Sequence, residues 1–251
     1  MFLSKEDLKL GYGVDLEIGK FLVDRKVPVG NLYWKKRLLY LLPMPGYIFI
    51  PLFTDIEYRL GLPKSELLSE KHFQLVESIL HSAATLEFTT MSFEEHIRDC
   101  VELTRPVCRN PAFLQDLVYY FGGQKDKASI ALGTPFKALN RADAYLFSLC
   151  YFPFSDETKK KLVDAWYALI TYYLIIDDLE DIKSDFEKNE ENAILESAFK
   201  EDSVQKIKAL MARSFEVMSR VNPVLANRIE YKNQVTDINA IITNFLQRQK
   251  K

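Results

Sequence analysis

Between Leu162 and Ile176 the chain reads LVDAWYALITYYLII, a stretch that is apolar almost all the way round a helix. A helix without a polar face must be enclosed by other elements, so this one is expected at the centre of the fold. It runs straight into DDLED, Asp177 to Asp181. Residues four apart share a helix face, so Asp177 and Asp181 are neighbours, and Asp178 reaches the same rim. Like charges at this spacing repel by roughly 0.2–0.5 kcal/mol per pair. A helix C-terminus disfavours each anion by a further 0.3–1 kcal/mol or about that. Stability alone does not choose such an arrangement, and two readings follow. The acids are a solvated turn with Lys183 and Lys188 as partial partners, or they hold a cation. Mg²⁺ takes oxygen ligands and bridges to phosphates through one or two carboxylates, which makes Asp177, Asp178 and Asp181 a candidate metal site. A central helix that emerges at an acidic rim places that rim beside a cavity.

The rest of the chain points to an all-α fold. Only 9 Gly and 10 Pro punctuate 251 residues, and no sustained apolar–polar alternation occurs. Helices are expected near 14–26, 31–42, 47–60, 64–87, 91–105, 111–121, 126–151, 156–182, 202–220 and 223–248. Ser92 with Glu95 reads as a capping box, Ser155 or Asp156 as an N-cap, and Pro223 as the start of the last helix. Asp178 to Asn192 is expected to be a helix end followed by a surface loop. With no repeat and no linker, the expectation is a single domain over residues 1–251, a bundle or barrel of about ten helices.

Several function classes are excluded by composition and motif. A net charge of −2 supplies no basic field for nucleic acid or an anionic membrane. The most apolar run, Leu38 to Phe53, contains Pro43, Pro45 and Pro51 and falls short of the about 20 residues that span a bilayer. It reads as a helix end, a turn at PMPG and the start of a second buried helix. The N-terminus lacks the features of a signal peptide. Cys100, Cys108 and Cys150 are odd in number and form no CxxC, so reduced thiols in a cytoplasmic setting are expected. Cys100 and Cys108, eight apart, are not expected to pair. His72, His81 and His96 form no HExxH, and neither GxSxG nor a P-loop is present. Gly122-Gly123 reads as a helix C-cap and turn.

The segment KALNRADAYLFSLCYFPFSDETKKKLVDAWYALITYYLIIDDLED, Lys137 to Asp181, resembles the class I isoprenoid synthases, the trans-prenyl diphosphate synthases in particular. In that family a Lys-Thr pair opens one helix, a short turn follows, and the next helix runs into the second aspartate-rich motif. The 70 residues after Asp181 leave room for two closing helices, as in the family. The segment is also similar to terpene cyclases, but there the acidic motif lies early and a second metal motif follows, which residues 182–251 do not supply in register. The resemblance implies an all-α barrel around an apolar cavity. Mg²⁺ and a prenyl diphosphate would sit at its mouth, ionisation or transfer of the prenyl group would follow, and the chain would form a homodimer. It assigns Asp177, Asp178 and Asp181 to the metal and Lys137 and Arg141 to the diphosphate.

The chain departs from that pattern at two places. Lys137 is followed by Ala138, and no DDxxD precedes Asp177. The nearest stand-in for the first motif is FTDIEYRLG, with Asp55, Glu57 and Arg59, whose plainer reading is a helix end with surface charges. Tyr145, Phe147, Trp166, Tyr167, Tyr172 and Tyr173 would line a prenyl pocket or simply fill the core. A catalyst, a non-catalytic member of the same fold and an unrelated helical interaction protein therefore all stay open.

Overall fold

The computed structural model describes residues 3–26, 28–33 and 45–249, and every regular element among them is helical. The helices are α1 (Lys5–Tyr12), α2 (Leu16–Asp24), α3 (Pro45–Arg59), α4 (Lys64–Leu67), α5 (Glu70–Phe88), α6 (Phe93–Thr104) and α7 (Pro111–Phe121). After a long irregular stretch come α8 (Asp156–Glu180), α9 (Ile182–Lys188), α10 (Ala193–Glu196), α11 (Glu201–Val221), α12 (Pro223–Val235) and α13 (Ile238–Gln249). One continuous core runs from Leu8 to Phe245. No described helix is long and apolar enough to cross a membrane.

Helix α8 is central, as its apolar circumference demands. It packs against α3, α10 and α11, and Leu162, Trp166, Leu169 and Ile175 are fully buried. The Trp166 ring stacks on Tyr145 at 5.3 Å and takes the edges of Phe53 at 4.9 Å and Phe49 at 5.9 Å. Such ring pairs contribute about 0.5–1.5 kcal/mol each beyond area burial. Tyr145, Phe147 and Trp166 are core residues.

Local signals set most helix starts. The Ser92–Glu95 capping box forms at α6. Ser155, rather than Asp156, caps α8 by accepting from the Thr158 N–H. Asn222 caps α12 with Pro223 in its first turn. A second capping box, Ser4 with Asp7, opens α1, which the sequence reading did not include.

Three expected helices are broken. Residues 126–151 form 3₁₀ turns at Lys125–Lys127, Lys137–Asn140 and Asp143–Tyr151, joined by irregular chain. The cause is Gly133 at φ +84° followed closely by Pro135, which pushes Thr134 out of the helical region and has no N–H to give. Residues 64–87 divide at Ser69, which caps α5. Residues 223–248 divide after Val235, where Thr236 is extended. Most of the expected 31–42 helix, with the first half of PMPG, lies outside the described residues. Pro45 and Gly46 belong to α3 itself rather than to a turn.

FTDIEYRLG is not an exposed helix end. Asp55 is fully buried, accepting from the Asp15 N–H at 2.7 Å, Arg59 Nε at 2.5 Å and Asn222 Nδ2 at 3.3 Å. Arg59 in turn donates through Nη2 to the Gly13 carbonyl at 2.6 Å. This clamp ties the α1–α2 turn to the α11–α12 junction. Glu57 is fully buried, its carboxyl oxygens meet no hydrogen-bond partner among the described residues, and burial pushes its pKa well up. Gly13 is irreplaceable within the clamp. Its φ is +72°, and a Cβ there would lie 2.3 Å from Asn222 Oδ1. We expect Gly13→Ala to lower stability by more than about 1 kcal/mol in urea unfolding. Gly61→Ala should cost less, since Gly61 has a positive φ but open space around it. Equal losses would show that the close approach to Asn222 is unimportant.

Candidate functional site

At the end of α8, neighbouring carboxylates part ways. Successive helical residues are about 100° apart, and of Asp177 and Asp178 one faces inward. Asp178 does, with a side chain 1% exposed, whereas Asp177 keeps 40% of its side chain open. Asp178 Oδ1 accepts from Arg141 Nη2 at 2.9 Å, and its Oδ2 accepts from the Ala193 N–H at 2.7 Å. Its carbonyl accepts from Asn192 Nδ2 at 2.7 Å, and the same amide reaches Asp185 Oδ2 at 2.8 Å. Burial pushes the Asp178 carboxyl up to about 6, against the opposing pull of Arg141 and the Ala193 N–H.

Arg141 is the pivot of the rim. It comes from the 3₁₀ segment after Lys137 and donates Nη1 to the Ala138 carbonyl at 2.9 Å. Its Nη2 also lies 3.4 Å from Asp177 Oδ2. Asp177 is raised chiefly by burial; Arg141 lowers it, while Asp181, Asp185 and Glu180 raise it further. Asp181 is exposed and ends α8, its N–H donating to the Asp177 carbonyl at 2.8 Å.

The structure therefore brings Arg141, Asp177 and Asp178 into contact, with Asp181 one turn beyond Asp177. Lys137 is placed differently. It is mostly exposed and pairs with Glu191 at 2.7 Å. The backbone N–H groups of Lys137 and Ala138 donate to the Glu196 carboxylate at 2.8 and 3.0 Å. Among the described residues no group of three or more His, Cys, Asp or Glu side chains is arranged around a common metal position. Both oxygens of Asp178 are engaged within the protein, which leaves Asp177 and Asp181 as the outward carboxylates. Two suffice for Mg²⁺ bridged to a phosphate, since that ion keeps several waters.

Sequence reasoning missed Asn192, Glu191 and Glu196, which close this end of the molecule. The local signal of Glu191 and Asn192, the polar run NEEN at 189–192, reads equally as a solvated loop, and Glu196 lies four residues beyond it. It also missed Asp143. This fully buried carboxylate accepts from Tyr120 Oη at 2.5 Å, Tyr167 Oη at 2.9 Å and Trp166 Nε1 at 3.0 Å. Tyr167 Oη in turn accepts from the Gly133 N–H at 2.7 Å, which holds the irregular 130–135 segment against α8. Beside Tyr167 opens a groove of about 570 Å³ between that segment, α8 and α11, lined by Pro135, Val163 and Leu210 with Lys160 and Arg213 among its polar groups.

Fold and rim define a class: an all-helical protein whose buried central helix ends in an ion-paired acidic rim. No protein-family model, no curated protein and no solved structure matches the chain.

Proposed function

We propose that the protein is a binding protein of isoprenoid-synthase-like build that takes a prenyl diphosphate with Mg²⁺ at the rim around Asp177. The observation that carries this reading is the meeting of Arg141 with Asp177 and Asp178, residues 36 and 37 apart in sequence, at the end of a buried helix. In this reading Asp177 and Asp181 take the metal, and Asp178 orients Arg141 from behind. Arg141 has five N–H donors and can turn part of its fork to diphosphate oxygens without leaving Asp178. Lys137 supplies a mobile second positive charge once it releases Glu191. Metal binding relieves the mutual repulsion of Asp177, Asp181 and Asp185.

Binding without ionisation is favoured over catalysis by one observation. The residues nearest to a first metal motif, Asp55 and Arg59, hold one another and their backbone partners inside the clamp. A second cluster of metal ions, which the resemblance requires for ionisation, would find among the described residues of that segment only the buried Glu57 carboxylate free of such ties.

A ligand that binds the native state alone stabilises it by about 2.7 kcal/mol at a hundredfold excess over Kd. For a chain of this size that is a rise of about 5–10 °C in melting temperature. We expect this rise with Mg²⁺ and pyrophosphate together and a smaller one with Mg²⁺ alone. Asp177→Asn combined with Asp181→Asn should abolish it while leaving the ligand-free protein no less stable. Differential scanning calorimetry decides, and an unchanged wild-type transition under both conditions ends the proposal in favour of a purely structural rim.

A further inference from the structure

The connection between α6 and α7, residues 105–110, folds back onto the end of the 3₁₀ helix Asp143–Tyr151. The N–H groups of Arg109 and Asn110 both donate to the Cys150 carbonyl, at 2.8 and 3.2 Å. This backbone docking brings the preceding residue, Cys108, beside Cys150, and each thiol shifts the proton affinity of the other. Cys108 is half-buried, Cys150 is fully buried, and both are free thiols. Cys100 stands apart on α6, buried against the His96 ring with its Sγ 3.8 Å from Nδ1.

We propose that Cys108 and Cys150 form a peroxide-oxidisable dithiol that closes to an intramolecular disulfide, with Cys108 as the attacking and Cys150 as the resolving sulfur. Three features fit these roles. Cys108 has solvent access and Cys150 does not. The neighbouring Cys150 thiol, and after it the polar Asn110 N–H, hold the Cys108 thiol down at about 6. Burial pushes Cys150 well up, so it keeps its proton until it is needed. A low-pKa, accessible thiol next to a second cysteine is the arrangement that redox-sensing cysteines share.

The chemistry balances with one hydrogen peroxide. The Cys108 thiolate attacks a peroxide oxygen, the O–O bond breaks, and the departing hydroxide takes a proton to leave as water. Cys108 is then a sulfenic acid. The Cys150 sulfur loses its proton and attacks the Cys108 sulfur, the S–O bond breaks, and the hydroxyl leaves with a proton as a second water. The two sulfurs have given up two electrons to the peroxide, and two thiols have become one disulfide. The bond would tie the α6–α7 connection to the helix that begins at Asp143.

The test treats the folded, fully reduced chain with one equivalent of hydrogen peroxide, blocks the remaining thiols and maps the peptides by mass spectrometry. Expected is a single linked pair, Cys108 with Cys150, with Cys100 alkylated and the link reversed by dithiothreitol. In Cys150→Ser, Cys108 should stop at the sulfenic acid and be captured by dimedone. In Cys108→Ser, peroxide consumption should fall by more than about tenfold, because an ordinary thiol of pKa about 8.5 is only slightly ionised at neutral pH. A link that includes Cys100 would overturn the proposal. So would wild-type oxidation to sulfinic acid without a link, or consumption by Cys108→Ser at the wild-type rate. The wild-type map stands even if the Cys150 variant fails to fold.

Discussion

Asp178→Ala is expected to destabilise the protein by about 3–5 kcal/mol, and Asp177→Ala by less than about 1 kcal/mol. The two aspartates are adjacent, equally charged and equally part of DDLED, so charge alone predicts equal effects. Their environments differ. Removing Asp178 leaves the Arg141 guanidinium, only 28% exposed, facing a vacated buried position. It also strips the Ala193 N–H of its acceptor. Breaking a buried pair by deleting one partner costs about 3–5 kcal/mol, and an orphaned buried donor costs about 1–3 kcal/mol, partly the same energy. Asp177 keeps water on its open side, and its pair with Arg141 at 3.4 Å belongs with exposed ion pairs worth about 0–1 kcal/mol. Urea unfolding midpoints at constant m-value measure both. Similar losses for the two variants would show that the inward and outward division of the rim is wrong.

The second large effect falls on Asp143. Asp143→Ala leaves three buried donors, from Tyr120, Tyr167 and Trp166, without their acceptor. Each orphan costs about 1–3 kcal/mol, so a total of about 3–5 kcal/mol is expected once the site relaxes. Asp143 also carries a pH signature. Burial pushes its carboxyl up to about 6, against the pull of its three donors and Lys125. The folded state therefore holds this proton more tightly than the unfolded chain does. Its contribution to stability is complete below the unfolded value near 3.8 and is lost as pH rises through about 6. Holding the carboxyl at about 6 rather than 3.8 corresponds to about 3 kcal/mol. Asp178 is shifted in the same direction, to about 6. Wild-type stability should therefore carry a declining component between pH 4 and pH 6 or about there. Asp143→Asn, which cannot titrate, should lose its share of that decline. Unfolding series at four pH values across this window compare the two proteins. An identical pH dependence in Asp143→Asn would show that Asp143 is ionised throughout.

The sequence by itself determined what depends on near neighbours or on a whole helix face. Leu162 to Ile176 had to be enclosed because no side of that helix tolerates water, and α8 is central. Ser92, Ser155 and Asn222 act on N–H groups two or three residues away, so those helix starts were legible from a few letters. The all-helical class followed from the same local periodicity. Gly133 and Pro135 were equally local signals against a continuous 126–151 helix, within which residues 143–152 form a mostly apolar run. That run is buried as a 3₁₀ helix, which apolarity alone does not distinguish from an α-helix. What only the tertiary structure decided are the partners supplied from far along the chain. Nothing near Asp178 says that Arg141 and the Ala193 N–H will meet it while Asp177 stays half in water. Nothing near Asp55 announces Asp15 and Asn222, and a surface charge on paper becomes a buried clamp. Cys108 lies eight residues from Cys100, yet its neighbour is Cys150, because the Arg109 and Asn110 N–H groups dock on the Cys150 carbonyl. Charge, polarity and thiol chemistry belong to the residue. Whether a carboxylate is a ligand, a latch or a neutral core group depends on the burial and donors around it, and these are set by packing between distant segments.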